Sequence, residues 1–437
     1  MPFAIYILGL AVFAQGTSEF MLSGLVPNIA RELNVSIPAA GALTSAFAAG
    51  MIVGAPLMAV LSLRWPRRRA LLVFLVAFML VHVAGALTTN FPVLLVTRVL
   101  GALANAGFLA VGLATATSMV PPNAKGRATS VLLGGITLAC VAGVPAGAAL
   151  GQTLGWRSAF WAVALISLPA VFAVVRSVPD TARAAVSATV RSMPDATQAA
   201  ISATERPMPD ATRAAVSAAE RSMPDATRVA GEAGEGRPRA RRELRALRDP
   251  RLLVVLVLAA LVNAATFCTF TYLAPLVTNV SGFSEGWVPA MLALFGLGSF
   301  AGVTIGGRLS DTRPMQVLVV GGIALLAGWA LFTSTAGSPV ATFLLVFVQG
   351  TLSFAVGSTL IAQVLYAAAR APSLGGSFAT AALNVGAAAG PAIGGATIAA
   401  GLGYRSPLWV SALLVAAAFV TAGLAQAVRR TPSRRTT

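Results

Sequence analysis

Apolar runs long enough to cross a bilayer recur along almost the whole of this 437-residue chain. Inside a hydrocarbon core, only a helix or a closed barrel satisfies its own backbone hydrogen bonds. A helix needs about 20 apolar residues to cross such a core. Twelve runs are read at roughly 3–26, 38–62, 70–88, 92–119, 129–151, 159–176, 252–278, 287–307, 317–336, 339–368, 377–400 and 408–428. The expected fold class is therefore an all-α integral membrane protein with twelve transmembrane helices. Charged residues make up only 10% of the chain, against about 25% in soluble domains, which excludes an ordinary soluble fold.

The net charge of +17 is distributed as topology, not as a nucleic-acid surface. Lys125 is the only lysine among 31 basic residues. Arg64, Arg67, Arg68 and Arg69 sit between runs 2 and 3, Lys125 and Arg127 between 4 and 5, and Arg308 and Arg313 between 8 and 9. Arg370 follows run 10, and the tail "RRTPSRRTT" carries four more. The alternate loops hold only Arg31, Arg157 and Arg405. Excess arginine on one side is the positive-inside pattern, so both termini are expected in the cytoplasm of a multi-pass plasma-membrane protein. The start "MPFAIYILGLAVF" has no basic n-region and no small-residue cleavage site, so no cleaved leader is expected. Cys140, Cys268 and the single His82 lie within runs. No disulfide framework, metal site or cofactor is expected from them.

The runs fall into two groups of six, at 1–176 and 252–428, followed by a basic tail at 429–437. "LSLRWP" (61–66) matches "LSDTRP" (309–314), and "GWRSAFW" (155–161) matches "GYRSPLW" (403–409), both at an offset of 248. One shared offset at equivalent places points to a duplicated six-helix unit. Parallel repeats of this kind build transporters whose substrate site lies at the midplane between halves. The linker at 177–251 holds four 15-residue repeats, beginning "VPDTARAAVSATVRS", and then a basic stretch, "RPRARRELRALRDPR". The repeats have too little apolar bulk to stack as a solenoid and read as a spacer. The basic stretch reads as a membrane-surface helix.

Within the spans, ionisable residues are scarce, and such residues usually face a cavity or a partner. Glu19 is the only acidic residue well inside a run, and Arg98 the only arginine. Taken outward from Phe3, Glu19 lies about 24 Å along; taken inward from Pro92, Arg98 lies about 9 Å down, so the two share a depth. They are read either as a fixed ion pair or as a proton-binding carboxylate with a nearby cation. Burial favours a neutral carboxyl and a neighbouring cation favours its ionised form, so relative movement of the two would load and unload a proton. That second reading is preferred because intramembrane charge is costly. His82 reads more as a packed ring than as a relay.

The remaining polar residues of the spans suit a drug-sized cavity: Asn105, Asn263, Thr266, Thr269, Tyr272, Gln349, Ser353, Gln363 and Asn384, with Phe13, Phe267 and Phe270 adding aromatic surface. An apolar pocket with a few hydrogen-bonding groups takes a small amphipathic ligand. A polar residue in a span often only bonds a neighbouring helix. An embedded enzyme would need a nucleophile–base set or metal ligands, and isolated Ser, Thr and one His do not supply them.

The chain resembles the major facilitator superfamily. "GTSEFMLSGLVPNIARELNVS" (16–36) is similar to the opening of its drug:proton antiporter branch. "ACVAGVPAGAALG" (139–151) resembles that branch's antiporter motif at Gly143, Pro145, Gly147 and Gly151, and "GPAIGG" (390–395) repeats it in the second half. "TRVLGALANAGF" (97–108) matches the fourth-span motif at Arg98, with Gly101 where many relatives have glutamine. The loop motif matches at Arg64, Arg67 and Arg68, with Leu63 for the usual aspartate, and its second copy keeps Asp311. Segments such as "LLVTRVLGALANAGFLAV" resemble the chloramphenicol exporters of actinobacteria. The resemblance implies two pseudo-symmetric six-helix bundles, acting as a monomer. It implies export of a small hydrophobic drug by alternating access, driven by a proton gradient with no other cofactor. A sugar or another drug as substrate, or a non-transporting receptor, are the alternatives.

Overall fold

A computed structural model describes residues 2–62, 65–121, 124–177, 245–369 and 375–430. The four repeats, most of the basic stretch after them, Arg64, Arg370 and the end of the tail lie outside these residues. Twelve membrane-length helices are present among the described residues. They are α1 (Phe3–Phe20), α2 (Ile37–Met58), α3 (Arg67–Leu87), α4 (Phe91–Ser118), α5 (Lys125–Thr153), α6 (Trp156–Arg176), α7 (Pro250–Thr271), α8 (Glu285–Leu309), α9 (Pro314–Thr335), α10 (Pro339–Ala367), α11 (Gly375–Leu402) and α12 (Ser406–Val428). There is no strand among the described residues. Several starts carry their own caps. Asn90, Asp249 and Ser338 accept hydrogen bonds from the first-turn amides of α4, α7 and α10, each just before a proline at the first or second helical position.

The first apolar run is not one straight helix. α1 stops at Phe20, Met21 intervenes, and a second helix, Leu22–Glu32, continues away from the N-terminus. α7 repeats this, stopping at Thr271 and resuming at Leu273–Asn279 after Tyr272. α5 carries a π-turn at Ala139–Gly143, immediately before Pro145. Proline removes a helical donor and crowds the preceding turn, and π-turns frequently mark functional places in helices.

Glycines set the helix pairing. A Cβ at Gly143, Gly147 or Gly151 of α5 would press on Thr17, Met21 or Leu25 of the first span. A Cβ at Gly386, Gly390 or Gly394 of α11 would press on Ala260, Ala264 or Cys268 of α7. Within each row the partners are 126 residues apart, so the two pairs have the same register. Likewise, Gly50 and Gly54 of α2 meet Val99 and Leu103 of α4, while Gly298 and Gly302 of α8 meet Phe347 and Thr351 of α10. Each member of the second set lies 248 residues after its counterpart, the offset of the sequence repeat. Small residues let backbones approach where no hydrophobic force drives helices together in lipid.

The loop after the second span of each half is tied to the end of the fourth. Arg67 donates to the Ser118 hydroxyl at 2.6 Å, and Tyr366 donates to Asp311 at 2.8 Å. Ser118 and Tyr366 are again 248 residues apart. Arg68 is half-buried beside Arg67.

The two halves meet along α2–α11 and α5–α8. Ser45 donates to the Ala388 carbonyl at 2.7 Å, and Tyr272 fits between Gly41 and Gly395. Gly296 of α8 abuts the Cys140 carbonyl of α5, and Gly24 abuts Ala148 and Leu292. Arg31 pairs with Glu285 at 2.9 Å, and Gln152 donates to the Glu285 carbonyl. The Glu285 contacts lie at the end opposite the termini, and the others lie between that end and the middle of the spans. Toward the other end, no hydrogen bond, ion pair or ring contact among the described residues crosses between halves. The molecule is closed at one end.

Candidate functional site

The last turn of α1 radiates four side chains to four places, as 100° per residue requires. Thr17 turns toward α5, its hydroxyl bonded to the Phe13 carbonyl at 2.8 Å and its carbons against Gly143. Ser18 points to α3 and α4. Phe20 crosses to the second half and meets Phe267 at 5.7 Å between centroids. Glu19 lies between them, half-buried, with no hydrogen bond or ion pair to any described residue. Neither of its carboxylate oxygens is sealed from solvent. Arg98 and Cys140 are both within electrostatic reach of it.

Arg98 is 1% exposed and is held by Ser18 rather than by Glu19. Its Nη1 donates to Ser18 Oγ at 2.9 Å and its Nη2 to the Ser18 carbonyl at 2.8 Å. The guanidinium carbon stands 4.6 Å from the Phe47 ring centroid and 6.0 Å from that of Phe160, where the ring faces favour a cation. Arg98 and Glu19 share a depth, but among the described residues no ion pair joins them.

His82 completes the group. It is 2% exposed, with Nε2 at 2.6 Å from Ser18 Oγ and Nδ1 at 2.7 Å from the Phe78 carbonyl. A carbonyl only accepts, so Nδ1 carries hydrogen. A neutral ring then offers Nε2 as acceptor to the Ser18 hydroxyl, and the Ser18 oxygen keeps its lone pairs for Arg98. In this order both Nη groups of Arg98, the Ser18 hydroxyl and His82 Nδ1 each have a receiver, while the buried Arg98 Nε has none among the described residues.

The second half carries no such network at the corresponding place. Phe47, Arg98 and Gly101 fall 248 residues before Phe295, Val346 and Gln349. There the core is an apolar cleft walled by Phe270, Phe295, Trp329 and Phe332. Phe270 stacks on Phe295 with centroids 4.6 Å apart. The aromatic row thus runs from Phe20 at the end of α1, through Phe267, into the heart of the second half.

Most of the polar residues expected in a drug cavity already have partners. Asn263 donates to the Leu383 carbonyl at 2.6 Å, Asn384 to Thr380 at 2.9 Å, Thr266 to Val262 at 2.9 Å and Tyr272 to Pro391 at 2.9 Å. Thr269 is bonded to Ser411. Asn105 and Gln349 differ. Asn105 meets Met51 Sδ, and Gln349 donates to the Leu325 carbonyl at 3.2 Å, but the side-chain oxygen of each is buried without a partner. Ser353 Oγ is also buried without a partner. Phe13 is half-buried, its backbone amide against Gly135, and Pro145 and Gln363 are half-buried too. The sequence gives no independent sign of Ser18 or of the Phe47 and Phe160 faces; only the adjacency of Ser18 to Glu19 hints at it. No group of three or more metal-ligating side chains is found among the described residues.

Comparison with known proteins is consistent across sequence and fold. A chloramphenicol resistance protein of Streptomyces lividans is 52% identical over 97% of this chain and 96% of its own length. The inner membrane transport protein YdhP of Escherichia coli K12 is 32% identical over 91% of this chain and 89% of its own. A chloramphenicol efflux pump of Mycobacterium tuberculosis H37Rv is 28% identical over 76% of this chain and 68% of its own. Two solved structures share the fold at 16% identity. One is a bacterial homolog of the human lysosomal transporter Spinster, inward-facing and unoccupied, with a TM-score of 0.66 over 97% of this chain and 95% of that one. The other is a D-xylose–proton symporter, with a TM-score of 0.68 over 96% and 97%. The Major Facilitator Superfamily model matches residues 8–380, and this multi-pass membrane chain belongs to that superfamily.

Proposed function

We propose that this protein exports chloramphenicol or a similar small hydrophobic drug across the plasma membrane in exchange for protons. The observation that carries the reading is Glu19, a half-buried carboxyl inside a span, unbonded, with a cation close by that is engaged elsewhere. The names of the relatives in Streptomyces and Mycobacterium support the substrate. The protein acts as a monomer in lipid, with no metal or organic cofactor, both termini in the cytoplasm and the proton gradient as its energy source. With that orientation the closed end is the outer one, and this conformation faces inward.

In this reading the two halves rock about the midplane. Outward-open, Glu19 takes a proton from the more acidic side as drug leaves. Inward-open, it gives the proton up and drug enters from the cytoplasm or inner leaflet. Exchange of a neutral drug for one proton moves one charge. That charge yields about 2.3 kcal/mol per 100 mV, enough for roughly fiftyfold accumulation.

Glu19→Gln keeps the shape of the side chain and removes the titrating group. The expected result is a protein that inserts and still exchanges drug for drug across vesicles, but no longer pumps drug against a gradient when the pH difference is applied. Full drug resistance from this variant would remove Glu19 from the mechanism. Deleting residues 178–237 is expected to leave export intact, measured as drug efflux from cells lacking their own pumps. Loss of efflux with normal insertion would instead favour a receptor that signals through this segment.

A further inference from the structure

We propose that His82 and Ser18 form a berth that holds Arg98 away from Glu19, so that His82 is a positioning residue for proton loading. The inference rests on the proton-coupled reading of Glu19. Arg98 has two acceptors within its reach in principle, the Ser18 hydroxyl and the Glu19 carboxylate, on consecutive residues of α1. In this conformation it gives both Nη groups to Ser18. A hydroxyl that is free to turn would present its own hydrogen to the guanidinium in part of its rotations. His82 prevents this. Its Nε2, 2.6 Å away, takes the hydroxyl hydrogen, and the Phe78 carbonyl fixes the ring through Nδ1. The Ser18 oxygen is thereby left as a pure acceptor, and charge-assisted bonds to such an acceptor are the stronger kind.

The surroundings add no competing charge. α2 presents Phe47 and α6 presents Phe160, and α2 contains no ionisable residue. Arg157, a turn before Phe160 on α6, is engaged by Glu32 and by the Thr88 carbonyl. The basic residues of α3 stand at its opposite end. α4 contributes Arg98 itself, α1 contributes Glu19, and Cys140 of α5 is within electrostatic reach of Glu19. The position of Arg98 is therefore the adjustable electrostatic element near Glu19. Docked on Ser18, as in this inward-facing conformation, it leaves Glu19 able to hold its proton up to the point of release; moving toward Glu19, it favours the carboxylate and expels the proton to the inner side. The second half, with Val346 in the place of Arg98 and no histidine, has no such device.

The test uses the full-length protein in proteoliposomes, with chloramphenicol as the probe and two readouts. One is proton-driven drug transport as a function of the pH on the loading side. The other is drug-for-drug exchange at a fixed pH, which reports folding and the site but needs no proton. His82→Leu removes the berth's acceptor and fills the same apolar space. Half-maximal transport is expected to move about one pH unit toward acid, a tenfold higher proton activity, with drug-for-drug exchange unchanged. Ser18→Ala is expected to shift the profile in the same direction. His82→Gln, which offers an amide oxygen to the Ser18 hydroxyl, is expected to restore most of the parental profile. Parental pH profiles in both His82→Leu and Ser18→Ala overturn the berth. If Glu19→Gln alone abolishes proton-driven transport, the proton reading of Glu19 survives that outcome; if it does not, both ideas fall.

Discussion

Arg98→Ala is expected to abolish proton-driven export and to weaken the fold, whereas Arg98→Met is expected to abolish export alone. The difference follows from how Arg98 is buried. Its side chain lies between the Phe47 and Phe160 rings, and truncation leaves a hole there. Large-to-alanine changes in a packed core cost about 2–5 kcal/mol. The lost bonds to Ser18 add about 1.5–3 kcal/mol each, offset by no longer burying a charge. Methionine fills the same length with apolar, adaptable atoms and gives up only the cation and its donors. Volume-conserving exchanges usually cost under about 1.5 kcal/mol. Thermal unfolding of the purified variants, followed by tryptophan fluorescence, reads the first effect. Drug accumulation under an imposed pH gradient reads the second. An Arg98→Met protein that pumps like the parent would make Arg98 a packing residue, and the coupling would have to be sought elsewhere.

The parts of this fold legible in the sequence are those written in composition and period. Twelve apolar runs gave twelve spans, because lipid leaves a helix no alternative. The offset of 248, seen first in two loop motifs, reappears in the packing of Gly50 on Val99 and Gly298 on Phe347. Counting residues also put Glu19 and Arg98 at one depth. What counting does not provide is the azimuth of each side chain. Ser18 rather than Glu19 faces Arg98, because one residue along a helix turns the side chain by about 100°. Tyr272 and Asn263 look like ligands for a drug in a list of polar residues. In the fold they are committed to the Pro391 and Leu383 carbonyls, since a buried donor takes the acceptor at hand. The break at Tyr272 has a local cause, since Pro275 offers no N–H to the Thr271 carbonyl one turn back and crowds it. The break at Met21 lies beside the grip of Arg98 on Ser18. His82 reads as a packed ring on its isolation in the sequence, because its partner Ser18 comes from another span and only the Phe78 carbonyl from its own.

The closed end depends on backbone contact, which makes Gly296→Val the second variant of large effect. A Cβ at Gly296 would fall on the Cys140 carbonyl across the seam between halves, and α5 and α8 would be forced apart. Overpacking of this kind costs about 1–3 kcal/mol, and a bias of that size changes a two-state ratio by about 5- to 150-fold. The burden falls only on the closed conformation, because opening this end separates the two helices. Export is expected to drop by about 5- to 150-fold while the protein inserts normally, since one half of the cycle is penalised. Gly298→Val supplies the contrast. Two residues along the same helix, it meets the Phe347 carbonyl inside the second half, a contact present in any conformation that keeps the bundle together. That variant is expected to lower thermal stability without favouring either conformation. Cys140 is the reporter, because it lies at the seam and the chain has only one other cysteine, Cys268. In a Cys268→Ala background, a membrane-impermeant maleimide added on the side opposite the termini should label Cys140 faster in Gly296→Val and at the parental rate in Gly298→Val. Equal labelling of the two, with export intact in the first, would mean that the seam between α5 and α8 does not open in transport.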